Sequence, residues 1–279
     1  MATKTALIQL RSGRDMARNI AEASALIKEA AGRGARFVLT PEMTNILETD
    51  RERLKGLVRR EEEDAAVAAF ADLARDQRLW LLAGSFALQG PRDKLVNRSL
   101  LFAPDGVLAA RYDKIHLFDV DLPNGQILRE SATYAAGCPA PMVPTPFANV
   151  GLTICYDVRF PHLYKALAQA GAEVLTVPSA FTKVTGEAHW HVLLRARAIE
   201  TGSFVLAPAQ GGAHECGRET FGTSLAVSPS GDITAEGGQE PGVFMTVIDR
   251  RQVAEARRRI PVLKHDRQVI LNAEGEVAT

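Results

Sequence analysis

Apolar positions recur along this chain with two different periods, and the alternation of those periods predicts a mixed α/β protein. Residues 5–10 suit a strand. Over residues 15–31 the apolar positions Met16, Ile20, Ala23, Ile27 and Ala30 return at helical spacing, with Gly32 and Gly34 to end the helix. Residues 36–40 are again strand-like and are stopped by Pro41. A helix is predicted over 61–78, because acids fill its first turn and Arg75 and Arg78 its last, as the macrodipole favours. Strands are predicted at 79–87, 98–103 and 107–114, the last two joined by the turn Pro104-Asp105-Gly106. Between 115 and 137 neither period is sustained and Pro123-Asn124-Gly125 intervenes, so this stretch reads as a long functional loop. A hairpin over 142–154, helices at 161–170 and 187–201, and strands at 173–178, 203–210, 223–227 and 243–248 complete the pattern.

The order contains an echo. Gly34-Ala35 leading to Pro41 resembles Gly171-Ala172 leading to Pro178, and Gly84-Ser85-Phe86 resembles Gly202-Ser203-Phe204. Ser99-Leu100 with Pro104 and Gly106 returns as Ser224-Leu225 with Pro229 and Gly231. Three matches in one order predict two similar α/β halves that pack sheet against sheet with helices outside. No Pro/Gly/Ser-rich linker divides them, so one domain is expected, with a core over about 4–250 and a tail over 251–279.

Candidate chemistry gathers where strand-like runs end. Residues 148–154 run directly into Cys155, and Pro161 suits the first turn of a following helix. That places Cys155 at a strand-to-helix elbow, where backbone N–H groups and the helix dipole would lower the thiol pKa and face an oxyanion. A small buried hydrophobe is the competing reading of a lone cysteine. Glu42 and Lys114 also follow strand-like runs, and one sheet edge can bring all three together. A carboxylate, an ammonium and a thiol suit acyl transfer, in which the thiol loses its proton, attacks a carbonyl and leaves an oxyanion to be stabilised.

Composition narrows the partners. Thirty-three basic residues balance thirty-three acidic ones, which gives no broad positive field for nucleic acid. Arg257-Arg258-Arg259 reads as a solvated helix face. The three cysteines, Cys138, Cys155 and Cys216, form neither a disulfide framework nor a zinc knuckle. His189-Trp190-His191 is too tightly spaced for two imidazoles to share one helix face, so no metal is expected. The N-terminus lacks a signal-type apolar core, and no apolar run approaches the roughly 20 residues of a membrane span. A reduced, cytoplasmic protein is expected.

Thr40-Pro41-Glu42, then Tyr112-Asp113-Lys114-Ile115-His116-Leu117-Phe118-Asp119, then the run from Gly151 to Pro161 resemble the three successive motifs of the nitrilase superfamily of carbon–nitrogen hydrolases. The resemblance extends over about residues 4–265. It implies a four-layer α-β-β-α sandwich, a homodimer or higher homo-oligomer with the tail at the dimer contact, and no cofactor. It implies catalysis by Glu42, Lys114 and Cys155, with Glu130 orienting the lysine where a solvated loop acid would otherwise be expected. Tyr156 would lend its backbone N–H to the oxyanion hole beside Lys114, and His116 would support the site as a hydrogen-bond partner. Residues 178–181, 185–190 and 192–200 are most similar to the amidases of this superfamily that act on deaminated glutathione, releasing 2-oxoglutarate. Omega-amidases, which act on 2-oxoglutaramate, are the near alternative and commonly carry glycine where Ser179 stands. In those relatives the positions of Arg159, Phe181 and Thr185 hold the 2-oxo acid half of a small amide substrate; an internal ion pair is the other reading of Arg159. Arg195, Arg197 and Glu200 are expected in structural ion pairs. Two departures stand out: His162 replaces the acid usual after Phe-Pro, and Lys264-His265-Asp266-Arg267 keeps part of the closing pattern. A catalytically silent scaffold and a Cys–His protease using His116 or His162 remain as readings from other classes.

Overall fold

The computed structural model describes residues 2–122 and 125–269; Pro123, Asn124 and the end of the predicted tail lie outside them. Two six-stranded sheets form its centre. The first has the order Gly242–Ile248, Thr3–Gln9, Phe37–Leu39, Trp80–Gln89, Leu95–Phe102, Leu108–Asp113. The second runs Met142–Pro144, Asn149–Leu152, Val174–Thr176, Phe204–Ala207, Leu225–Val227, Ile233–Glu236. Each sheet thus has an antiparallel edge strand, three parallel strands and two further antiparallel strands. Parallel neighbours need crossovers, and helices supply them. The helices are α1 (Met16–Gly32), α2 (Arg51–Leu57), α3 (Ala65–Gln77), α4 (Pro161–Gln169), α5 (Lys183–Thr201) and α6 (Arg250–Arg259).

The period of two in the strands creates the layers. Ala6, Ile8, Val38 and Leu81 face a core that contains Ala23 and Ile27 of α1 and Phe70 of α3. Leu7, Leu39 and Leu82 point to the opposite face and share a core with Val150, Leu175 and Leu206 of the second sheet. Each fully buried side chain of this kind contributes about 1.5–3 kcal/mol. Leu194 and Ala198 of α5 close the far side. The result is the expected α-β-β-α sandwich.

Two of the three sequence echoes fall on equivalent places. The Thr40 amide bonds to Leu82 O as the Val177 amide bonds to Leu206 O, each just before its proline. Leu100 pairs with Ala83 as Leu225 pairs with Ala207, and Gly106 and Gly231 close matching turns at positive φ. The third does not align. Phe204 is the counterpart of Trp80 in pairing, whereas Gly84 lies further along its strand. A Cβ at Gly84 would stand 1.6 Å from Thr40 O, so this glycine is required by close backbone approach.

Other differences have local causes. Asp64 accepts hydrogen bonds from the Ala66 and Val67 amides, so the helix predicted from 61 starts at Ala65 and Glu61–Glu63 forms a separate single turn. Asp50 likewise caps α2, which the apolar pattern did not predict. The stretch 115–137 is not structureless, because Asp119–Asp121 and Ile127–Arg129 pair as a hairpin. A second hairpin pairs Gly211–Ala213 with Glu219–Phe221. Arg257 is not solvated: its guanidinium binds Ala172 O, Thr201 O and Ser203 Oγ, while Arg258 and Arg259 pair with Glu255. Arg197 does pair with Glu200, but Arg195 donates to Gly231 O, a carbonyl.

Candidate active site

Glu42 follows the strand Phe37–Leu39, Lys114 follows Leu108–Asp113, and Cys155 follows Asn149–Leu152. The first two strands belong to one sheet and the third to the other, so the site forms where both sheets end. Cys155 holds φ at 48°, a conformation costly for a residue with a Cβ, and its amide donates to Pro178 O at 3.0 Å. Asp157 fixes the turn. This fully buried carboxylate accepts from the Ile154 amide (2.8 Å), the Tyr112 hydroxyl (2.7 Å) and the His116 amide (3.1 Å), with His116 Nδ1 at 2.7 Å. His116 therefore braces the cysteine turn, stacked on Phe160 at 3.5 Å, with His162 edge-on to both rings.

The turn differs from the predicted elbow in one respect that changes its chemistry. Cys155–Arg159 is a short 3₁₀ turn and α4 begins only at Pro161, so the thiol does not cap a full helix. Burial and the negative charge of Glu42 push the Cys155 thiol well above its usual range, against the pull of Lys114. The expected lowering is overturned: the resting sulfur keeps its proton.

Lys114 is buried between two carboxylates. Its Nζ lies 2.8 Å from Glu42 Oε1 and 2.9 Å from Glu130 Oε2. Asn97 Nδ2 donates to the same pair, at 2.8 Å to Glu42 and 3.2 Å to Glu130. The Ala180 amide holds Glu42 Oε2 at 2.8 Å, and the Phe118 amide holds Glu130 Oε2 at 2.6 Å. Burial opposes the charge of Glu42, yet Lys114, by charge and hydrogen bond, and Arg218, by charge, keep it ionised below the ordinary carboxylate range. Burial likewise opposes the charge of Lys114, and Glu130 and Glu42 outweigh it, raising the lysine well above its usual value. Asn97 escaped the sequence reading, although an asparagine inside an apolar strand is an anomaly that points to a polar task.

A cavity of about 240 Å³ opens onto these groups, and Tyr156, Phe181 and Thr185 line it with them. Phe118, Leu128 and Tyr134, from the 115–137 stretch, form another wall. At the two ends of the turn the Asp157 amide donates to Ile154 O and the Phe160 amide to Asp157 O. Arg159 is not among the lining residues. Its guanidinium lies 5.2 Å from the Phe181 ring centroid and 3.3 Å from His189 Nδ1, and it makes no ion pair among the described residues. His116 and His162 do not line the cavity either.

Paired β-sheets carry a thiol, an ammonium and carboxylates at their common edge, and the chain belongs to the carbon-nitrogen hydrolase family, whose model matches residues 4–258. It is an amidase. Among its relatives is the deaminated glutathione amidase of Synechocystis sp., 40% identical over 269 residues, which span 93% of this chain and 96% of that protein. The crystal structure of the Caenorhabditis elegans NitFhit protein matches with a TM-score of 0.89 at 35% identity, over 95% of this chain and 65% of that one. An amidase from Nesterenkonia sp., in a glutamate-to-glutamine variant that carries acrylamide added at its active-site cysteine, matches with a TM-score of 0.76 at 26% identity, over 93% of this chain and 98% of that one.

Proposed function

We propose that this amidase cleaves deaminated glutathione to 2-oxoglutarate and cysteinylglycine through a thioester on Cys155. The observation that carries the reading is the single buried constellation in which Glu42, Lys114, Glu130 and Cys155 all line one cavity. Glu42, ionised and lining the cavity with the thiol, takes its proton as the sulfur attacks the amide carbonyl. Because the thiol is protonated at rest, proton transfer and attack are coupled. The tetrahedral oxyanion is met by Lys114 and the Tyr156 N–H. Glu42 then returns the proton to the leaving amine, cysteinylglycine departs, and the acyl group remains on sulfur. A water deprotonated by Glu42 attacks the thioester; collapse expels the sulfur, which recovers the proton. Glu130 holds Lys114 in place throughout.

In this reading Phe181 and Thr185, which line the cavity, take the 2-oxo acid half, and Arg159, outside the lining but against the Phe181 ring, receives its carboxylate. The name of the Synechocystis relative supports this substrate, and Ser179 in place of glycine favours it over 2-oxoglutaramate. The test is kcat/KM for deaminated glutathione against 2-oxoglutaramate. A clear preference for the first is expected; a preference for the second would make the chain an omega-amidase.

The same reading includes a homodimer and a cytoplasmic setting. Val184, Val192 and Ile199 form an exposed apolar stripe on α5, 40%, 68% and 51% accessible, suited to a second copy. Three free thiols fit a reducing compartment. Among the described residues no helix is long and apolar enough to cross a membrane.

A further inference from the structure

Arg218, between the strands Gly211–Ala213 and Glu219–Phe221, lines the cavity and is half-buried. It makes no ion pair among the described residues, and its Nε is buried without a hydrogen-bond partner. One Nη2 hydrogen bond anchors it, 2.6 Å to Ala180 O. The amide of that same residue donates to Glu42 Oε2 at 2.8 Å. Arg218 therefore grips the residue whose N–H holds the base.

Around Glu42, the Lys114 ammonium is held between Glu42 and Glu130, and Arg218 is a further cation lining the same cavity. We propose that Arg218 is a positioning residue for the amidase reaction, which holds Ala180 in register on Glu42 and brings a positive charge to the base that deprotonates Cys155. The inference rests on Glu42 and Cys155 acting as base and nucleophile. Its guanidinium acts on Glu42 by charge, as Lys114 does at closer range. The other titratable groups that face this cluster are Cys155, Glu130 and the buried Tyr134, and His214 lies within the field of Arg218 from its own hairpin.

The test follows alkylation of Cys155 by iodoacetamide against pH, resolved by mass spectrometry of the Cys155 peptide so that Cys138 and Cys216 do not contribute. Arg218→Gln keeps an N–H for Ala180 O and removes the charge; Arg218→Met removes both; Arg218→Lys keeps the charge. In the two neutral variants the acidic limb of the profile should move up by about one pH unit, up to about a tenfold rate loss on that side, and in Arg218→Lys it should stay in place. Either neutral variant suffices if the other does not fold. An unmoved limb in a folded neutral variant overturns the inference, and a rise confined to KM for the anionic substrate would make Arg218 a substrate-binding residue instead. Glu42→Gln serves as the control: if it leaves the wild-type profile unchanged, the assignment of base and nucleophile fails, whatever Arg218 does.

Discussion

Lys114 lies within hydrogen-bond distance of two carboxylates, so in the proposed mechanism its charge fixes Glu42 and Glu130 until an oxyanion forms nearby. Losing that charge should therefore harm turnover more than binding, and Lys114→Met is expected to lower kcat far more than it raises KM. The reverse pattern in steady-state kinetics would make Lys114 a ground-state binder. Glu42→Gln should slow acylation and deacylation alike, by about 10²- to 10⁴-fold; single-turnover rates reduced less than about tenfold would remove Glu42 as base. Glu42, Lys114 and Cys155 were legible in the sequence because each follows an apolar run at a strand end. Asn97 and Arg218 were not, since one projects from a strand interior and the other arrives from a hairpin more than sixty residues beyond the cysteine. The thiol was misjudged for a related reason. Its turn is visible locally, whereas the burial that opposes its ionisation, and the carboxylate that adds to it, come from packing against the other sheet.

At the scale of elements, the core strands and amphipathic helices were predicted closely, and α2 and two short hairpins were missed. Three-residue strands such as Asp119–Asp121 and Gly211–Ala213 give no period to detect, and their partners lie across a turn. The second of these hairpins is tied to the body of the protein by His214. Its Nδ1 donates to Ser12 O at 2.9 Å and its Nε2 meets Thr220 Oγ1 at 2.7 Å. Burial, with the nearby charges of Arg218 and Arg11, holds this imidazole below its usual value of 6.5, against the Ser12 hydrogen bond. The unfolded chain therefore takes up a proton near pH 6.5 that the folded chain refuses. Stability from this group is complete above pH 6.5 and is lost as pH falls through the lower, folded value. Urea unfolding at pH 7.5 and 5.5 should show a larger loss in the wild type than in His214→Gln; equal losses would show that the hairpin is indifferent to the charge.

For the whole molecule, the two similar halves were visible in Gly-Ala and Ser-Leu echoes because those residues serve backbone turns and pairings that both sheets repeat. What sequence could not supply is how the halves face each other, which decides that strand ends from both sheets meet at one cavity. The exposed stripe on α5 is the corresponding feature at the next level of assembly. Under the proposed homodimer, sedimentation velocity should report a dimer for the wild type and a monomer for Val192→Asp, which places a charge in the stripe. An unchanged coefficient would exclude this face as the contact.

The central claim is that the amide carbonyl is transferred to the Cys155 sulfur before water receives it. The most direct measurement is acid quenching of the wild-type enzyme during turnover of deaminated glutathione, followed by peptide-resolved mass spectrometry. The account predicts a 2-oxoglutaryl group on the Cys155 peptide, removable by hydroxylamine. An acyl group found on another side chain, or undiminished product formation by Cys155→Ala in the same assay, would contradict it.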